Sequence, residues 1–122
     1  MVFMQKYVVF GASPNPIRHS FKAVKSLLRR NQEVVPIGFR KGVISGLPIQ
    51  KGLPDLNGVG TLLLYVGKKR QAEFYDYILN LSPQKIVFNP GTENPELQKM
   101  AEDKDIEVIN DCALVLINGG QI

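Results

Sequence analysis

An α/β fold with a doubly wound, mostly parallel sheet is predicted from three features of this 122-residue chain. Short apolar runs recur at Tyr7–Phe10, Val34–Ile37, Leu62–Val66 and Lys85–Phe88, as expected of strands covered on both faces. Segments with helical spacing of apolar residues lie between them. Glycine follows the first three runs, at Gly11, Gly38 and Gly67. Strands that alternate with helices need crossover connections, and crossovers set the strands parallel with helices against the sheet.

The first run ends at Gly11. The helix after it sets Ile17, Phe21, Val24 and Leu28 along one stripe, with Leu27 beside them, and leaves Lys22, Lys25, Arg29 and Arg30 mostly outside. Asn31-Gln32 ends this helix, and Val34–Ile37 is the second buried strand. Pro36 cannot donate to a central ladder, so an irregular ladder is expected there. Residues 38–60 are rich in glycine and proline and are read as connecting structure with a short strand near Leu47–Gln50, not as a linker between domains. Leu62–Val66 is a buried strand closed by Gly67. Lys69–Leu81 is predicted as a helix with Phe74, Ile78 and Leu81 on one face and Tyr75 and Leu79 adjacent. Lys85–Phe88 is a strand. Asn94-Pro95-Glu96 starts a helix, with a capping side chain, a proline in the first turn and a carboxylate near the positive helix end. Leu97, Met100 and Ala101 then face the core. Glu107–Ile109 and Ala113–Ile117 supply the last one or two strands. No repeat or low-complexity segment is visible, and residues 1–122 are expected to form one domain.

Composition narrows the class. Hydrophobic residues make up 44% of the chain, too many for extensive disorder. The apolar run in "MVFMQKYVVFGAS" is too short for a secretory signal, and Ala113–Ile117 is far too short to span a bilayer, so a soluble, cytoplasmic protein without a membrane partner is expected. Cys112 is the single cysteine, which excludes an intramolecular disulfide and suits a reducing compartment. With His19 and Cys112 the only soft ligands, a structural zinc site is excluded.

Charge is distributed unevenly along the chain. Residues 1–50 hold Lys6, Arg18, Lys22, Lys25, Arg29, Arg30, Arg40 and Lys41 against the single acid Glu33, whereas residues 71–122 hold three bases against nine acids. An anionic ligand or partner for the first half follows. In an open parallel sheet ligands bind at the edge where the strands finish. Four segments should meet there: Gly11–Arg18, Gly38–Lys41, Gly67–Arg70 and Asn89–Glu93. Gly11 and Ala12 permit close backbone approach, Ser13, Asn15 and Ser20 supply short polar groups, and the first helix presents its N-terminal amides. A tight strand–helix turn with no ligand is the bland alternative.

The end of the second strand is sharper. A dinucleotide site usually places Asp or Glu there for the ribose hydroxyls, and this chain has Gly38-Phe39-Arg40-Lys41 instead. Positive charge at that point suits a nucleotide with an extra ribose phosphate, a feature of both NADP and coenzyme A; the competing reading is a solvated surface pair. Lys68-Lys69-Arg70 opposes the macrodipole of the helix it opens, and either solubilises the chain or faces an anion. Catalytic constellations are poor: His19 has no serine–acid signature around it, the late carboxylates Glu102, Asp103 and Asp105 read as a solvated helix end, and Cys112 borders an apolar run as a small hydrophobe. No residue is assigned a catalytic role.

With these residues in view, the chain resembles the small stand-alone CoA-binding proteins, one-domain relatives of the CoA-binding part of succinyl-CoA synthetase. The matching stretches are "VVFGASPNPIRHSFKAVKSLL", "EVVPIG", "GLPIQKGLPDL" and "IVFNPGTENPELQKMAEDKDIEVINDC". The resemblance implies a Rossmann-like fold holding coenzyme A or an acyl-CoA. Gly11, Ala12, Ser13 and Ser20 would line the diphosphate, with Asn15 and Arg18 beside them. Gly38, Phe39, Arg40 and Lys41 would line the adenosine phosphate, and Val66, Gly67, Asn89, Pro90 and Gly91 would border the adenine or pantetheine path. The synthetase's catalytic partner domains have no counterpart here, so ligase activity is not implied. An NADP-binding regulatory or oxidoreductase module shares the basic pair and is the alternative. A nucleic-acid partner is disfavoured, since no RNA-binding motif or aromatic stacking platform is evident. Nothing identifies a protein partner.

Overall fold

The computed structural model describes residues 6–122; the absence of a signal segment, read partly from residues 1–5, concerns positions outside the described residues. Five parallel strands form the sheet: β1 (Lys6–Phe10), β2 (Glu33–Ile37), β5 (Val59–Leu64), β6 (Lys85–Phe88) and β7 (Glu107–Asn110), in the order β2-β1-β5-β6-β7. α1 (His19–Arg29) and α5 (Ala113–Asn118) cover one face. α3 (Tyr75–Asn80), with α2 (Lys68–Gln71) leading into it, and α4 (Pro95–Glu102) cover the other. The alternation of side chains along a strand explains the unbroken apolar runs. Val8, Phe10, Leu62, Leu64, Ile86 and Phe88 face the α3/α4 layer, while Val9, Leu63 and Val87 face the α1/α5 layer, all fully buried. Each such buried Leu, Ile or Phe contributes about 2 kcal/mol.

Pro36 falls on an edge strand, not a central one. Its carbonyl accepts from Gln50 N–H on the side away from β1, so its missing N–H falls on that outer side and the β1–β2 ladder keeps its register. The short strand expected at Leu47–Gln50 is one arm of a hairpin, β3 (Val43–Ile44) and β4 (Leu47–Pro48), closed by Ser45-Gly46 with both φ angles positive. Gln50 then bridges to Ile37.

Three local readings change. Ala113–Ile117 is a helix, not a strand: Ala113, Leu116 and Ile117 are buried at helical spacing and Val115 is 60% exposed. A run of five apolar residues fits either period until its packing partner, α1, is known. The stripe on α1 is Ser20, Ala23, Val24 and Leu27; Ile17 precedes the helix and is 74% exposed. The segment 69–81 is not one helix but α2, a 3-10 turn at Ala72–Phe74 and α3, although Phe74, Ile78 and Leu81 do share the buried face. Asn94 caps α4 as expected, accepting from Glu96 and Leu97 N–H. No helix among the described residues is long and apolar enough to cross a membrane.

Candidate functional site

From β1 the chain crosses to β2 on one side, and β5 lies on the other, so the strand order reverses between β1 and β5. A crevice opens at such a point, outside the carboxyl ends of the strands. Gly11 lies there with φ +99°, and a Cβ on it would sit 3.0 Å from the Tyr65 carbonyl carbon. Gly38 is set closer still: a Cβ would lie 2.2 Å from the Ala12 oxygen. These two glycines let the ends of β1, β2 and β5 converge.

The turn between β1 and α1 consumes its own donors. Gly11 and Ala12 N–H both reach the Ile37 oxygen at 2.8 Å, and Ser13 N–H donates to Ser20 Oγ at 3.1 Å. Asn15 N–H donates to Ser13 Oγ, and Ile17 N–H to Asn15 Oδ1, each at 3.1 Å. The anion-binding capacity therefore moves one step along the chain. α1 starts without a side-chain cap, and the amides of His19, Ser20 and Phe21 have no partner among the described residues. An uncapped N-terminus of an eleven-residue helix attracts an anion.

Two cavities meet at this turn and share Gly11, Ser13 and Arg18. The larger, about 570 Å³, runs from Arg18, His19 and Ser20 across to Tyr65, Asn89 and Cys112. The smaller, about 260 Å³, is lined by residues that include Asn15, Phe39 and three arginines, Arg18, Arg40 and Arg70. Phe39, 40% exposed, packs edge-on against Phe10 and tilted against Phe74, and Arg70 lies over its ring at 4.2 Å. Arg70 also reaches Glu73 at 3.9 Å, an exposed contact of little energetic consequence, and Arg18 and Arg40 have no ion pair among the described residues.

A buried polar network holds the edge together from behind. Gln71 Nε2 donates to the carbonyls of Val66 and Thr92 at 2.8 and 2.7 Å, and its Oε1 accepts from Asn94 Nδ2 at 2.9 Å. Asn89 Nδ2 donates to Leu64 O at 3.0 Å, and its Oδ1 accepts from Ala113 N–H at 2.8 Å, starting α5. Asn89-Pro90-Gly91-Thr92 is a tight turn closed by Thr92 N–H on Asn89 O, with proline second and Gly91 third at φ +93°.

Of the expected residues, Gly11, Ala12, Ser13, Asn15, Arg18, Ser20, Phe39, Arg40, Asn89 and Pro90 line one or both cavities. Gly38 shapes the edge through its contact with Ala12. Lys41, Gly67 and Gly91 are exposed and line neither cavity, and Val66 is buried in the core. Lys22 turns into a separate groove with Phe21 and Leu114, and Lys68 and Lys69 are exposed outside both cavities.

Sequence reasoning missed Tyr65, Thr92 and the exposure of Cys112 to the larger cavity. Tyr65 was hidden by extending its strand to Val66, whereas β5 ends at Leu64 and leaves Tyr65 on the edge. Burial raises the Tyr65 phenol well above its ordinary range, the Cys112 charge adds to this and Asn89 acts in the opposite direction. The Asn89 amide is near enough to act on the phenol, but the contact lacks hydrogen-bond geometry, so Tyr65 Oη is buried with no partner among the described residues.

Open helix amides flanked by two cavities, one lined by three arginines and one more apolar, fit a long ligand with an anionic middle. A profile described as "CoA binding domain" matches residues 5–118. A solved structure titled only as an uncharacterized protein superposes at a TM-score of 0.94 with 36% identity, covering 99% of this chain and all of that one. A Thermus thermophilus structure gives 0.84 at 20% identity, covering 98% and 91% of the two chains, and so speaks for the fold alone. A conserved hypothetical protein from Pyrococcus furiosus gives 0.76 at 26% identity, covering 93% and 98%. No curated protein matches the chain. By sequence profile and by fold together, this chain belongs to the CoA binding domain family.

Proposed function

We propose that the protein binds coenzyme A or an acyl-CoA as a one-domain, non-catalytic carrier or sensor. The observation that carries this reading is the junction of two unlike cavities at Gly11, Ser13 and Arg18, beside the open amides at the start of α1. The diphosphate would rest at this junction, where the helix end and Arg18 supply positive charge. The phosphorylated adenosine would take the three-arginine cavity beside Phe39 and Arg40. The pantetheine arm would pass Tyr65 and Asn89-Pro90 towards Cys112.

Thermal denaturation with added ligands tests the proposal. Coenzyme A at about a hundredfold over its Kd should stabilise the fold by about 2.7 kcal/mol, a rise in Tm on the order of 10 °C. NADPH at equal concentration should give a markedly smaller rise. A larger rise with NADPH transfers the site to the dinucleotide alternative, and no rise with either ligand overturns the proposal.

A further inference from the structure

We propose that Arg70 is a specificity-determining residue that reads the ligand's phosphomonoester, and that Phe39 is the positioning residue that holds it there. The inference rests on the coenzyme A reading and adds to it a residue from α2, the short helix that follows β5. Three observations converge. Arg18 at the start of α1, Arg40 in the loop after β2 and Arg70 within α2 are far apart in the chain yet line one cavity of about 260 Å³. Like charges gathered around so small a space repel, and of these three arginines only Arg70 has a carboxylate partner among the described residues, the exposed Glu73 at 3.9 Å. Such a cluster is stabilised by a dianion, and a phosphomonoester carries a charge near −2 at neutral pH.

The second observation is the placement of Phe39. Phe39 is 40% exposed and lines the same cavity, so its ring offers a flat face on which a planar cation can stack. Phe10 and Phe74 flank its core side, and the Arg70 guanidinium lies over the ring at 4.2 Å. A stacked guanidinium keeps its N–H donors free at the rim of the plane, so the stack fixes the fork's position while leaving it able to bind phosphate. Fixing the fork before the ligand arrives removes part of the ordering cost of binding. The third observation is a contrast within one short element. Lys68 and Lys69 precede Arg70 directly, are exposed, and line neither cavity. Only the third cation of the run is turned into the recess.

The test is calorimetric titration of the whole chain with coenzyme A and with dephospho-CoA, which lacks only the ribose phosphomonoester. Wild-type protein should prefer coenzyme A. Arg70→Ala should reduce that preference about tenfold, acting on coenzyme A and leaving dephospho-CoA nearly unchanged. Arg70→Lys, which keeps the charge and loses the planar fork, should retain part of it. Phe39→Leu should reduce the preference in the same direction with Arg70 still present. Lys68→Ala should leave it unaltered. The inference is overturned if Arg70→Ala weakens both ligands equally, weakens neither, or is matched by Lys68→Ala. A wild-type protein that binds neither ligand overturns the coenzyme A reading itself, an outcome distinct from wild-type binding that Arg70→Ala leaves unmoved.

Discussion

Gly38 shows how one missing side chain shapes the site. A Cβ there would lie 2.2 Å from the Ala12 oxygen and 2.9 Å from Ile49 Cγ2, and the first neighbour is backbone that cannot rotate aside. Gly38→Ala must push the Gly11–Ala12 turn away from β2 and strain the two hydrogen bonds both amides make to Ile37 O. A loss of about 3 kcal/mol is expected, at the upper end for overpacking, with coenzyme A affinity falling in the same variant. Urea denaturation measures the first and calorimetry the second; a variant as stable as the parent would show that the turn is free to move. The sequence places Gly38 in the site by its position after a strand, but its role is contact between two backbones, which only the fold displays. Arg40 is different. A cation where a dinucleotide site has a carboxylate is legible without coordinates, whereas the stacking of Arg70 on Phe39 joins residues thirty-one positions apart and is not.

At the scale of elements, most of the sheet is readable because each central strand is apolar on both faces and each is followed by a turn signal. The failures lie where two periods fit the same few residues. Ala113–Ile117 is apolar throughout, and only the α1 face it packs against decides for a helix. The connection after β5 breaks into α2, a 3-10 turn and α3 because Gln71 is drawn inward to satisfy two carbonyls and Asn94, a long-range demand with no local sign. Asn94 itself was legible as a cap through Asn94-Pro95-Glu96, but its second duty was not. Its Oδ1 starts α4 while its Nδ2 donates to Gln71 Oε1 and Tyr75 Oη at 2.9 and 2.7 Å. Two substitutions separate these duties. Asn94→Ala loses the cap, about 1 kcal/mol, and strands the buried Gln71 oxygen, about 2 kcal/mol more. Asn94→Asp keeps the cap and should recover the first part only. If Asn94→Asp melts with the parent protein, the network behind the site adds nothing to stability.

For the whole molecule, the buried phenols define a limit in alkali. Burial raises Tyr7, and raises Tyr65 far more, with the Cys112 charge adding to the Tyr65 shift; burial and the nearby Asp55 push Tyr77 up to about 12. An unfolded chain releases these protons near pH 10, while the folded chain still holds them. Above pH 10 the unfolded state therefore binds fewer protons than the native state, and the stability tied to these groups, complete below pH 10, is lost as pH rises towards the folded values. The melting temperature should accordingly change little between pH 8 and 10 on account of these groups and fall steadily from pH 10 to 12. Tyr65→Phe isolates the cause. Tyr65 Oη has no hydrogen-bond partner among the described residues, so the variant should melt no lower than the parent at pH 8, and its decline above pH 10 should be shallower. Tyr77→Phe should also flatten the decline but start lower, because it forfeits the 2.6 Å bond from Tyr77 Oη to Pro54 O. Scanning calorimetry at half-unit pH steps distinguishes the three chains, and identical slopes above pH 10 would mean that lysine neutralisation, not phenol burial, controls the alkaline limit.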